Sequence, residues 1–314
     1  MSDLRERVPA HSLIEQLLHQ WDIGAIHRGD KLDEIVIDED ARSWYQGVIG
    51  ERRIAELLTQ LGPEWTILHS VPFGTGATDI DHVVIGPGGV FTINTKYSPG
   101  KDVWSAGVGM YVGGFKQRYV GRSLDESRGA SQRLSAAVGR YTPVFGVVVF
   151  VDPGNLDRKA VAGVEGEIIY VLADDELLAT LRSGQMFNGN EVEEIVASAV
   201  RPGTWHRFPK PSRHGDYVAR EFDALEAAVG PSIRAGRGAP ASATGNRPQV
   251  PSTTPSRAAR SRPNNTRPAS RPSSRQPTRR RGRKKPSTAE KLLGLLFPIA
   301  GFIIVAAYLS NLGH

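Results

Sequence analysis

Apolar positions along the first 230 residues recur with two different periods. Between Ala41 and Leu61, Ile49, Ile54, Leu57, Leu58 and Leu61 return at helical spacing, and Gly62-Pro63 closes the run. Three strand-like segments follow: Trp65 to Val71, Asp79 to Ile85 and Gly89 to Lys96. The turn Gly86-Pro87-Gly88 joins the last two. A weaker hairpin is predicted across Val103 to Val112, a polar helix over Ser123 to Arg140 and a buried strand over Val144 to Val151. Ile168 to Leu172 reads as one more strand. Further helices are predicted near Ser12 to Trp21, Asp174 to Leu181, Glu191 to Val200 and Asp216 to Ala228. Helix, three strands, helix, strand is not the alternation of a doubly wound sheet. It predicts an α/β (α+β) fold, an antiparallel meander flanked by helices with a further strand added later.

The pattern stops near residue 230. Residues 231–290 are rich in Pro, Ser, Arg, Thr and Gly, with too few apolar side chains to offset the ordering entropy of a core, so they read as a disordered, extended linker. After it, Leu292 to Ser310 contains no charge and is about as long as a bilayer-spanning helix. The sequence thus divides into an N-terminal helical extension (1–40), a central domain (41–151), the remainder of the globular region (152–230), the linker (231–290) and a transmembrane helix (291–311).

Charge sharpens that division. The chain of 314 residues is +6 in total, but 16 of its 39 Lys and Arg, and one of its 33 acids, fall between Pro231 and Lys291. The other 23 basic and 32 acidic residues leave the rest about −9. The cluster Arg279, Arg280, Arg281, Arg283, Lys284 and Lys285 directly precedes the apolar run, so the positive-inside rule predicts a single-pass C-terminal anchor with the globular part in the cytoplasm. The bilayer, through Leu292 to Leu309, and anionic lipid headgroups are the expected partners of this end. A nucleic-acid-binding arm is the other reading of the basic run. The chain has no cysteine, which excludes disulfides and thiolate chemistry, and its first residues hold no apolar core for a cleavable signal.

The segment Thr78 to Ile85 and the strand ending at Lys96 carry the candidate chemistry. Strand alternation predicts Asp79 and Asp81 on one face, and Asn94 and Lys96 on one face of the next strand. Carboxylate and amide oxygens suit Mg²⁺ or Mn²⁺. A lysine beside them could orient or deprotonate a water, or offset charge on a phosphate. The plainer reading of such an acid pair is a solvated face, and of Glu51 an exposed helix charge. His82 alternates with Asp81, so it reads as a hydrogen-bonded core histidine. Gly107, Gly109, Gly113 and Gly114 read as hairpin glycines, since no P-loop context surrounds them. Trp104, Tyr111 and Phe115 of that hairpin read as packing residues, with nucleic-acid contact as the alternative.

In order, Gly47-Val48-Ile49-Gly50-Glu51, then Ile80-Asp81-His82-Val83-Val84, then Gly89-Val90-Phe91 leading to Thr95-Lys96 resemble the NERD (nuclease-related domain) family of the PD-(D/E)xK superfamily. The resemblance covers about Gly47 to Val151. It implies a restriction-endonuclease-like αβββαβ core and a metal-dependent phosphodiesterase acting on DNA or RNA. By it Asp81 is the first metal-binding acid, Lys96 the catalytic lysine and Glu51 the helical acid that completes the metal shell. Gln132 matches a glutamine on the following helix. The departure is Asn94, where the family usually has glutamate: an asparagine offers a neutral oxygen, so Mg or Mn binding is expected to weaken unless Asp79 or Glu51 compensates. The second expectation is therefore a catalytically degenerate module acting in binding or scaffolding at the membrane.

Overall fold

The computed structural model describes residues 3–29, 35–76, 78–164, 167–207 and 213–229. After a short 3₁₀ turn at Leu4–Glu6, the chain forms α1 (His11–Asp22), β1 (Ile26–Arg28), β2 (Ile35–Ile37) and the long α2 (Glu39–Leu58). Then come β3 (Thr66–Pro72), β4 (Asp79–Gly86), β5 (Gly89–Tyr97), β6 (Val103–Gly107), β7 (Gly109–Val112), β8 (Phe115–Gln117) and α3 (Tyr119–Val138). β9 (Phe145–Val151), β10 (Leu156–Val164), β11 (Glu167–Ala173), α4 (Leu177–Leu181), α5 (Gly189–Ala199), α6 (Pro202–Trp205) and α7 (Gly215–Ala228) complete it. The predicted order of helix, three strands, helix and strand is present as α2, β3, β4, β5, α3 and β9, interrupted by the β6–β8 ribbon.

Nine strands form one mixed sheet in the order β3-β4-β5-β9-β11-β10-β6-β7-β8. β3, β4 and β5 are the antiparallel meander, and β9 lies parallel to β5 with Asn94 opposite Val148 and Lys96 opposite Phe150. The apolar runs of β4 and β9 are buried on both faces because helices cover both. On one side Ile54 and Leu58 of α2 pack against Val84, Phe91, Ile93 and Val147. On the other, Ala130 and Leu134 of α3 pack with Val83, Ile85 and Val90, together with Val192 and Ile195 of α5. Two glycines set the helix heights. A Cβ at Gly50 of α2 would lie 3.0 Å from Tyr97 Cβ, and one at Gly146 of β9 would lie 2.6 Å from Ser123 Oγ of α3.

The β5–β9 ladder does not stop at Tyr97. Ser98 N–H donates to Val151 O, Gly100 N–H to Asp152 O and Val103 N–H to Asn155 O, which carries the pairing on into the parallel β6–β10 ladder. The ribbon of β6, β7 and β8 therefore extends directly from the end of the strand that bears Lys96. Its aromatics stand outside the core: Trp104, Tyr111 and Phe115 are 37%, 39% and 53% exposed, with Trp104 and Tyr111 packed on each other.

The N-terminal extension and α7 share a cluster in which Ile14, Leu17, Ile26, Val218 and Phe222 surround Tyr45 and Val48 of α2. Strands β1, β2 and β10 were not predicted. The predicted linker and transmembrane helix, with Arg279 to Lys285, lie outside the described residues. Among the described residues no helix is long and apolar enough to cross a membrane.

Candidate functional site

The candidate residues gather at the ends of β4 and β5, where the two strands part. Their regular pairing runs from Gly86↔Gly89 to His82↔Ile93 and goes no further. Beyond it Asp81 bridges the gap: its Oδ2 accepts a hydrogen bond from Thr95 N–H at 2.7 Å, although the carboxylate is only 7% exposed. That bond fixes the carboxylate at the peptide joining Asn94 to Thr95. It also satisfies a backbone donor that has no ladder partner there.

Asn94 and Lys96 face α3, as their spacing predicts, while Thr95 and Tyr97 face Gly50 of α2. Lys96 Nζ lies 4.9 Å from the centre of the Tyr119 ring and donates to Thr95 O at 2.7 Å. Asn94 Nδ2 donates to Glu126 at 3.3 Å. Tyr119 and Glu126 are seven residues apart, two turns of α3, so one helix face supplies the partner of each strand residue. Asn94 Oδ1 is buried with no hydrogen-bond partner.

The other predicted residues lie elsewhere. Glu51 is not the exposed charge of the plain reading, being 5% exposed, but it sits on α2, across the sheet from Asn94 and Lys96. Asp79 is buried near Arg7, whose guanidinium is pulled below its usual pKa by burial while Asp79 and Glu15 oppose that shift. Asp79 stands across from Pro72 of β3, and Ser70, which the register sets across from Asp81, has φ 46°. Gln132 is exposed on α3. Glu126 escaped prediction because Asp125-Glu126 reads as solvated charge on a polar helix. Only a helix start at Tyr119, four residues before the predicted one, puts it in phase with Lys96's partner.

His82 meets His69 across β3 and β4, Nδ1 to Nδ1 at 2.9 Å, so one ring donates to the other. Burial pushes both down to about pKa 3, and His82 adds repulsion to His69. Both are neutral at ordinary pH.

For the divalent cation that the resemblance implies, β4, β5 and α3 offer the Asp81 carboxylate, the orphaned Asn94 Oδ1 and the Glu126 carboxylate that Asn94 contacts. Among the described residues no three His, Cys, Asp or Glu side chains are grouped to hold a metal. Hard oxygen donors in small number fit Mg²⁺ or Mn²⁺ that keeps several waters.

Residues 46–151 match the nuclease-related domain family, NERD, and that part of the chain is a nuclease-related domain. An uncharacterized protein of Bacillus anthracis is 22% identical over 193 residues, which is 60% of this chain and 90% of that protein. No solved structure matches the chain.

Proposed function

We propose that the nuclease-related domain is a metal-dependent phosphodiesterase acting on DNA or RNA, with Lys96 as the catalytic lysine. The observation that supports it most is the Asn94–Glu126 contact. Where the family pattern has a strand glutamate, the chain places a helix glutamate against the substituted asparagine, so a carboxylate still stands beside Lys96's strand. Asp81, Glu126 and Asn94 Oδ1 would hold Mg²⁺ or Mn²⁺, which would supply Lewis-acid stabilisation of a phosphate under attack. Hydrolysis of a phosphodiester adds water across a P–O bond, so the water must lose a proton while charge builds on the phosphoryl oxygens. Lys96 meets the second need through the positive charge of its ammonium, held beside Thr95 O. The Tyr119 face orients that ammonium.

A second reading, a binding module without catalysis, draws on the same contacts: Asp81 already accepts from Thr95 N–H, and Glu126 from Asn94. Full-length protein with Mg²⁺ or Mn²⁺, tested on single-stranded DNA, duplex DNA and RNA beside Lys96→Ala, decides between them. Metal-dependent cutting reduced ~100-fold or more in the variant supports the enzyme. Equal cutting by both sinks the assignment of Lys96. No cutting by wild type, but a gain in Asn94→Glu, marks a degenerate nuclease.

Placement is part of the proposal. The apolar run Leu292 to Leu309 tethers the domain to a bilayer as a single-pass C-terminal anchor, the basic run before it meets anionic headgroups, and the domain faces the cytoplasm. Flotation of the full chain with anionic vesicles that resists high salt supports a span. Release by salt reduces it to surface attraction.

A further inference from the structure

The β6–β8 ribbon presents a face that the proposed chemistry does not use. Its register sets Trp104 opposite Tyr111 and Tyr111 opposite Lys116, so the three stand in one row across the ribbon. The alternate positions Val103, Met110 and Val112 turn inward and are buried. Trp104 and Tyr111 meet edge to face, 5.6 Å between centres, with more than a third of each left exposed.

The segment that forms the ribbon and leads into α3 is basic, in contrast to the acidic remainder of the folded part. From Lys101 to Arg122 the chain holds Lys101, Lys116, Arg118 and Arg122 against Asp102 alone. The Lys101 stem lies along the β7–β8 turn, where a Cβ at Gly113 would be 3.7 Å from it. Asp157, opposite Trp104 on β10, is ion-paired with Lys159 at 2.9 Å. The aromatic pair stands apart from the Lys96 site: Val103, Met110 and Val112 share a cluster with Val120 and Leu124 of α3, the helix that Lys96 faces, so Trp104 and Tyr111 look away from it.

We propose that this face is a stacking platform for the unpaired bases of a single-stranded nucleic acid. Flat exposed rings accept the π-face of any base, while flanking Lys and Arg follow the phosphates without reading sequence. A duplex conceals its base faces, so the platform prefers single strands. This holding does not rest on the phosphodiesterase reading.

Fluorescence anisotropy of a labelled oligo-dT with full-length protein, in EDTA so that nothing is cut, tests it at 0.15 M and 0.4 M NaCl. The basic run of residues 231–291 adds a salt-sensitive background common to every variant. Trp104→Ala/Tyr111→Ala is expected to weaken single-strand binding ~10-fold or more, and duplex binding far less. Trp104→Phe keeps a stacking face, so it should retain most of the affinity while losing part of the tryptophan quench that binding produces. Unchanged affinity in the double variant overturns the platform, as does an equal loss on single strands and duplex. A double variant that loses self-association in sedimentation but not oligo-dT binding shows the face to be a protein contact, and also overturns it. Aromatic-dependent binding without cutting removes the enzyme and leaves the platform, whereas cutting with no aromatic-dependent binding removes the platform and leaves the enzyme.

Discussion

The inner face of α3 and the outer face of the ribbon are neighbours in the chain, and they treat their side chains in opposite ways. Beneath α3, polar groups are enclosed and mostly answered: Asp81 by Thr95 N–H, Asn94 by Glu126, Lys96 by Tyr119 and Thr95 O. On the ribbon, two large rings remain in solvent within a basic frame. Enclosure strengthens each electrostatic contact and raises the penalty for leaving a partner unmatched. Exposure makes a contact cheap to lose for the fold and leaves it available to a ligand. Substitutions beneath α3 should therefore affect stability and chemistry together, and those on the ribbon should affect recognition alone.

Asp81 gives the largest expected effect. Asp81→Asn keeps an oxygen for Thr95 N–H but removes the charge, so cleavage should fall ~100-fold or more with the fold retained. Asp81→Ala also strands that buried N–H and should cost a further ~1–3 kcal/mol by urea unfolding. If Asp81→Asn unfolds as readily as Asp81→Ala, the carboxylate's role is structural, and the enclosed face loses its link to chemistry.

Next comes the histidine pair. Both rings have folded pKa values near 3, below the ordinary value of 6.5, so below pH 6.5 the unfolded chain binds protons that the folded chain refuses. Stability should be full above pH 6.5 and fall as pH drops toward 3, by at most ~1.4 kcal/mol per unit for each histidine. Urea midpoints at pH 7 and pH 5 should differ for wild type and converge for His69→Leu/His82→Leu.

Gly50→Val presses a side chain against Tyr97 behind the site and should cost ~1–3 kcal/mol in thermal unfolding. The smallest effect tests the other half of the comparison: Trp104→Ala should shift stability by no more than ~0.5 kcal/mol. A larger loss would mean that the ribbon face is part of the core after all.

Much of this was legible in the sequence because two strands keep strict phase. The spacing of Asn94 and Lys96 placed both on one face, and the apolar runs of β4, β5 and β9 predicted their burial. The burial of Glu51 was not legible, since a helix carboxylate reads as solvated until the packing of α2 on the sheet is known. β10 was invisible for a related reason: LDRKAVAGV has no clean alternation, and its partners β6 and β11 are set by tertiary contact. Glu126 required the helix to begin at Tyr119, a boundary that propensity alone does not fix.

The parallel pairing of β5 with β9 also has a consequence in time. As the chain leaves the ribosome, β5 ends at Tyr97 while its partner begins only at Phe145, about fifty residues later. At ~5–20 residues per second, the strand bearing Lys96 waits roughly 2–10 s with one edge unpaired. An open strand edge is a template for pairing with another nascent chain. Lys96 near the end of β5 carries the kind of charge that blunts such an edge, before it can act in a site.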